Sequence, residues 1–181
     1  MDTHLVFFSR DVEMKLRIIR AVDAPIEGLS VQDIADRCGI SRQTFYRHFS
    51  SKDEMLTWHN LYVRSITIGK VGHTFTWLDA YASHLNLMAQ DLPFYRNIVN
   101  RTDLHEVAVR FTEQVFLDLL EDRRGLEVTE ALRFAAHAQA VLDVRFLVEW
   151  IRSDMAMPPD ALARHIVECI PRLLYEALEL R

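Results

Sequence analysis

Apolar positions recur at intervals of three and four along most of this chain, the period of helices that bury one side. No stretch alternates in the manner of a strand, and no repeat or low-complexity tract breaks the pattern. The spacing predicts a first helix over residues 9–22, capped by Ser9, with Val12, Leu16, Ile19 and Val22 inward and residues 1–8 as an irregular lead-in. Pro25 and Gly28 then interrupt it. From Ser30 the pattern tightens into two short helices. Ser30 is a good N-cap, and Asp33 stands where a capping box places its acid. Val31, Ile34, Ala35 and Cys38 form one apolar stripe, and Gly39 follows where a helix ends in a left-handed residue. Ile40 can fill the space behind the turn, and Ser41 caps a second helix over residues 42–49. This is a helix-turn-helix pattern at about residues 30–49. A further capping box, Ser51 with Glu54, opens the next helix at Lys52.

That helix runs through Met55, Leu56, Leu61, Tyr62 and Ile66 to Gly69 or Gly72. Thr74 opens another, carrying Phe75, Trp77, Leu78, Tyr81, Leu85 and Met88. Asp91 and Pro93 mark a stop and a restart before a short helix over residues 94–101. Thr102 caps a helix with Leu104, Val107, Ala108, Phe111, Val115, Phe116, Leu119 and Leu120 as apolar positions, ended by Arg123-Arg124-Gly125. Thr129 starts a long helix to about Arg152 with too many apolar groups for one stripe, so it is buried from several sides. Met157-Pro158-Pro159 restarts the chain for a last helix through Leu162, Ile166, Cys169, Ile170, Leu173, Leu174 and Leu178, kinked at Pro171. The fold class is therefore all-α. Residues 9–56 make a three-helix domain with a helix-turn-helix, and residues 57–181 make a second helical bundle.

The second helix of the motif separates its faces. At about 100° per residue, Phe45 and Phe49 share one side, while Gln43, Arg47 and, at the edge, Thr44 occupy the other. Arg42 lies at the N-terminus, and Tyr46 and His48 lie on the flanks. Such a helix suits a DNA major groove: Arg pairs with guanine bidentately, Gln with adenine, and a Thr methyl meets a thymine methyl. Flanking Tyr and His suit phosphates, as does Lys52 at a helix N-terminus. A helical hairpin with a solvated polar face is the plainer alternative, but the ordered set of caps, Gly turn, Tyr-x-x-Phe and Ser-x-Lys demands more than that.

The net charge of −5 and pI near 5.9 argue against broad nucleic-acid affinity. The distribution changes the picture. Residues 37–52 hold Arg37, Arg42, Arg47 and Lys52 and no acid, whereas residues 57–181 hold thirteen basic and seventeen acidic residues. A local basic patch on an acidic body fits selective binding at one face.

Ile34-Ala35, Gly39-Ile40-Ser41, Thr44-Phe45-Tyr46-Arg47-His48-Phe49 and Lys52 resemble the signature of the tetracycline-repressor (TetR) family. The resemblance covers roughly the first third of the chain. It implies that Arg42 and Gln43 reach bases and that Thr44, Tyr46, His48 and Lys52 hold phosphates, with Arg47 placed toward DNA by the helical wheel. The stretch before the motif is a few residues shorter than is usual in the family. The rest of the chain is similar, more loosely, to TetR-type regulators of dihydroxyacetone kinase genes, through Arg42-Gln43-Thr44-Phe45-Tyr46, Trp58 and Pro93-Phe94-Tyr95-Arg96-Asn97-Ile98.

The resemblance implies a homodimer on a pseudo-palindromic double-stranded DNA operator, controlled by a small-molecule effector or a protein coactivator. Ala135, Ala138, Val141, Leu142 and Arg145 on one helix, with Ile166, Ile170, Leu173 and Ala177 on the next, are the expected dimer seam. Trp77, Tyr81, His84, His105, Phe111 and His137 are the candidate lining of a ligand pocket, with core packing as the alternative for each aromatic. The eight histidines form no His-x-x-x-His pair and no His-Glu-x-x-His, and no phosphate loop or nucleophile elbow is present. An enzyme or metal sensor is thus the remote reading, and no catalytic residue, metal or cofactor is expected. Cys38 and Cys169 read as reduced, buried thiols of a cytoplasmic protein. Leu5-Val6-Phe7-Phe8 is too short for a signal peptide, and no apolar run approaches a membrane span.

Overall fold

A computed structural model describes residues 10–179 of the protein. The Ser9 cap and the lead-in over residues 1–8 lie outside the described residues. Those described form ten helices and no strand: α1 (Arg10–Arg20), α2 (Val31–Cys38), α3 (Arg42–His48), α4 (Lys52–Ile66), α5 (Trp77–Gln90), α6 (Leu92–Ile98), α7 (Thr102–Asp118), α8 (Glu130–Arg152), α9 (Pro159–Cys169) and α10 (Arg172–Leu178). The chain divides into two compact units between His59 and Asn60, inside α4, three residues past the boundary expected from sequence.

In the N-terminal unit α1, α2 and α3 pack mutually around Ile18, Ile19, Val22, Ile34, Phe45 and Phe49, all buried. Ile18 was not among the inward positions read from sequence; Val12 and Leu16 are only half-buried. The Ser30 box closes in both directions. Ser30 Oγ accepts the Asp33 N–H at 3.1 Å, and Asp33 Oδ2 accepts the Ser30 N–H at 2.8 Å. Gly39 adopts φ 69, ψ 34, and the Ile40 N–H reaches back to Ala35 O at 2.9 Å. A left-handed residue there satisfies helix-end carbonyls and turns the chain into α3.

Two local expectations change. Phe49 is not helical: at φ −144, ψ 130 it is the extended cap of α3. The Ser51 box closes on one side only. Ser51 Oγ accepts the Glu54 N–H at 3.0 Å, but the Glu54 carboxylate turns to Ser50, accepting its N–H and O–H at 2.5 Å each.

The C-terminal unit is built on α5 against α9 and on α7 against α8, with α6 and α10 also lying on α8. The helix expected from Thr74 begins at Trp77. Its cap is Thr76, whose Oγ1 accepts the Asp79 N–H at 3.1 Å while Asp79 Oδ2 accepts the Thr76 N–H at 3.0 Å. A reciprocal box outcompetes the unpaired Thr74 two residues earlier. Leu61 and Leu78 are exposed, whereas Val63 and Arg64 are buried. α7 does not end directly at Arg123; it passes into one π-helical turn, Leu119–Arg123, before Gly125 at φ 60.

Pro171 breaks the last helix rather than kinking it. The pyrrolidine ring disfavours the helical region for the preceding residue, and Ile170 sits at φ −62, ψ 129, parting α9 from α10. α10 is then anchored by Leu174 and Leu178, both fully buried, and by the Trp77 indole N–H donated to Tyr175 O at 3.2 Å.

Candidate functional site

Phe45 is completely buried on the back of α3, which fixes what its front displays. Arg42, Gln43, Tyr46 and Arg47 are exposed; Thr44 and His48 are half-buried. The Arg42 guanidinium donates to Tyr46 Oη at 3.2 Å and lies 5.4 Å over its ring, so these two side chains are pre-positioned together. Thr44 Oγ1 is 2.9 Å from Ser41 Oγ. His48 Nδ1 lies 2.7 Å from Asp11 Oδ1, tying α3 to α1, and the Lys15 and His48 hydrogen bonds hold the Asp11 carboxyl below its ordinary range.

Lys52 departs from the free ammonium expected at a helix N-terminus. Its Nζ donates to Ile26 O at 2.9 Å and to Leu29 O at 2.5 Å. These carbonyls belong to the 3-10 turn Ile26–Gly28 and the residue after it, and the ammonium closes that turn onto α4. One of its three donors is left for another acceptor. Lys52→Ala is expected to destabilise the N-terminal unit by about 1–3 kcal/mol, the loss for hydrogen bonds to a charged group. An unchanged denaturation midpoint would deny it this structural role.

The six residues expected from sequence to line a pocket sit in different settings among the described residues. Trp77 and Tyr81 are buried and stacked, with ring centroids 6.1 Å apart. Buried His84 places Nδ1 3.0 Å from Thr67 Oγ1. Phe111 is half-buried, and exposed His137 pairs with Glu113 at 2.8 Å. Of the six, His105 borders an apolar cavity of about 80 Å³ that is also lined by Asn60, Arg64, Tyr95 and hydrocarbon side chains of α6, α7 and α8. Core packing claims Trp77, Tyr81 and His84, because flat rings fill interhelical space efficiently.

Sequence reading missed the polar groups beside that cavity. Arg64 is 2% exposed, and its Nε donates to Asn60 Oδ1 at 2.9 Å. Nearby, Asp143 accepts from Tyr81 Oη at 2.7 Å and from Gln139 Nε2 at 2.7 Å. Burial pushes the Asp143 carboxyl up to about 7, although both hydrogen bonds and the Arg64 charge oppose it. The available signal was a lone charge on each apolar stretch: Arg64 after Leu61-Tyr62-Val63, and Asp143 between Leu142 and Val144.

Among the described residues no group of three or more His, Cys, Asp or Glu is placed to hold a metal ion, and no helix is long and apolar enough to cross a membrane. Cys38 is half-buried, with its thiol pushed up by desolvation, while Cys169 is exposed rather than buried as its apolar neighbours suggested.

Two family models match the chain. "Bacterial regulatory proteins, tetR family" covers residues 22–57, and "Transcriptional regulator C-terminal region" covers residues 75–172. The chain belongs to the TetR family. It is a DNA-binding transcriptional regulator of a non-enzymatic family. No curated protein matches it by sequence. Among solved structures, "Dihydroxyacetone kinase operon activator DhaS" aligns with a TM-score of 0.61 at 18% identity, covering 91% of this chain and 96% of that one. That likeness concerns the fold. NalD of Pseudomonas aeruginosa, described as the secondary repressor of the MexAB-OprM multidrug efflux pump, gives 0.47 at 18% identity over 93% and 98%. A TetR-family regulator from Mesorhizobium loti gives 0.40 at 19% identity over 89% and 98%.

Exposure divides the expected dimer seam of this TetR chain. Ile166, Ile170 and Ala135 are buried within the protomer. Val141 is 44% exposed and Leu173 46%, while Leu142, Ala138 and Ala177 are half-buried. Phe134, absent from the sequence-based set, is 74% exposed. It precedes Val141 by seven residues, so the two share one face of α8 with Ala138.

Proposed function

We propose that this TetR regulator is a homodimeric, effector-released repressor acting in the cytoplasm on a pseudo-palindromic operator. The exposed Arg42, Gln43, Tyr46 and Arg47 along an acid-free α3, backed by buried Phe45, carry the reading. Arg42, Gln43 and Arg47 read base edges; Tyr46 and, where their present partners release them, Thr44, His48 and Lys52 hold the backbone. In-vitro selection from random duplexes tests this. Gln43→Ala and Arg47→Ala are each expected to relax preference at particular base pairs by about 1–3 kcal/mol where the contact is bidentate. Selected sequences unaffected by both changes would remove α3 as the reading helix.

Dimerisation is supported by the exposed Phe134 and Val141, apolar groups that monomers seldom leave bare on one helix face, and by the exposed Leu173 on α10. Phe134→Glu with Val141→Glu is expected to give a monomer in sedimentation and to weaken operator binding. A wild-type monomer at micromolar concentration would overturn the dimer.

Control is assigned to α4. It carries Lys52 of the N-terminal unit and Arg64 of the C-terminal unit on one helix, so a ligand that prefers one setting of its far end shifts the DNA-competent population. A mainly apolar effector with one or two polar groups suits the cavity beside Arg64. Activation through a protein coactivator is the second reading. It is favoured by the small cavity, well below the usual few hundred Å³, and by the activator among the structural neighbours. Operator gel shifts with and without metabolite extract separate the two.

A further inference from the structure

The C-terminal unit buries a cation whose hydrogen-bonding capacity is largely unused. Arg64 is 2% exposed, yet among the described residues its guanidinium makes one hydrogen bond, from Nε to Asn60 Oδ1, and no ion pair. Burial lowers its pKa, but a guanidinium remains charged at neutral pH. Buried cations without close partners are costly unless something answers them. Asp143 offers Coulombic support, but its oxygens accept from Tyr81 and Gln139 and not from Arg64. Arg64 borders the cavity, and its other wall is hydrocarbon, including Ile98, Leu104, Ala108, Val148 and Ile151.

We propose that this cavity takes a short-chain monocarboxylate, its carboxylate held by Arg64 and its alkyl chain by the apolar wall. The assignment rests on the ligand-responsive reading and names the class of effector. A planar carboxylate matches the fork of the guanidinium, which is two N–H donors wide. One buried cation answers one negative charge. A phosphate dianion carries more charge than Arg64 balances and leaves the hydrocarbon wall without an occupant. The volume limits the chain: about 80 Å³, at roughly 10–15 Å³ of such space per water, holds about six water-sized groups. That is the heavy-atom count of butyrate.

The experiment uses the full chain and the sodium salts of acetate, propionate, butyrate and hexanoate, with butyramide as the neutral isostere and chloride at matched ionic strength. Calorimetric titration is expected to show butyrate binding about tenfold or more tighter than butyramide, with affinity peaking near four carbons. Arg64→Gln is expected to abolish the discrimination. Ala108→Leu fills the cavity without touching the charge and is expected to abolish binding in a folded protein, which covers the case in which Arg64→Gln fails to fold. Equal binding of butyrate and butyramide, or no binding of any acid, overturns the proposal. DNA binding is scored separately on the duplex recovered by selection. Butyrate binding with unchanged DNA affinity supports the carboxylate site and removes effector release; failure of the selection with butyrate binding intact removes the operator reading alone.

Discussion

Asp143→Asn is expected to flatten the pH dependence of stability and to strengthen the protein on the alkaline side. The carboxyl is pushed up to about 7 from an ordinary 3.8 by burial. Between these values the folded chain holds a proton that the unfolded chain has released. Stability therefore falls as pH rises from about 4 to about 7, and the loss persists above. Three units correspond to at most roughly 4 kcal/mol. The amide keeps an acceptor for the Tyr81 hydroxyl. Turning the Gln139 amide over presents its Oε1 to the new N–H and gives up the 3.2 Å hydrogen bond from Gln139 Nε2 to Tyr81 Oη. Urea denaturation of both proteins at pH 5 and pH 8 measures the effect. A variant that loses stability equally at both values would mean that the carboxylate is compensated by charge and not penalised by burial.

Gly72→Ala is expected to cost about 2–4 kcal/mol, among the larger effects of a single methyl group. Gly72 has φ +69, and a Cβ there would lie 2.3 Å from Leu178 O. Leu178 is fully buried at the end of α10, so its carbonyl has nowhere to retreat. Gly39 provides the control. It shares φ +69 but has nothing within 4 Å of its ideal Cβ, so Gly39→Ala carries only the left-handed backbone penalty of about 1–2 kcal/mol. Equal losses at both positions in denaturant melts would exclude the steric clash at Gly72.

Much of the fold was legible because local chemistry declared it. Ser30 with Asp33, Gly39, Ser41 and Thr129 are all helix-end signals whose partners lie within four residues, and each is realised. The misplaced start of α5 shows the limit: Thr74 and Thr76 are both good caps, and only the acid at Asp79 discriminates. Burial was harder to read. On α9 and the turn after it, Ile166 and Ile170 could face inward or toward a second protomer, and periodicity is the same for both. The position of Pro171 decides by parting the helix and sending Leu173 outward and Leu174 inward. The display on α3 could be anticipated from a helical wheel, whereas the partners of Lys52 and His48 come from residues 23 to 37 positions away. Cavities are residues of imperfect packing, and no pattern in sequence marks where packing fails; aromatic side chains drew attention to the places where it succeeds.

The placement of the indoles has an optical consequence. The chain has three tryptophans. Trp58 is half-buried in the N-terminal unit with the Lys15 ammonium 5.2 Å from its ring, while Trp77 and Trp150 are buried in the C-terminal unit, donating to Tyr175 O and Met157 O. Trp58 emission is therefore a private signal of the operator-reading head, red-shifted and accessible to soluble quenchers. Emission from the other two is blue-shifted and shielded. With Trp58 replaced by phenylalanine, the remaining fluorescence follows the regulatory body alone, so that melting of the head and of the body can be told apart in an unlabelled protein.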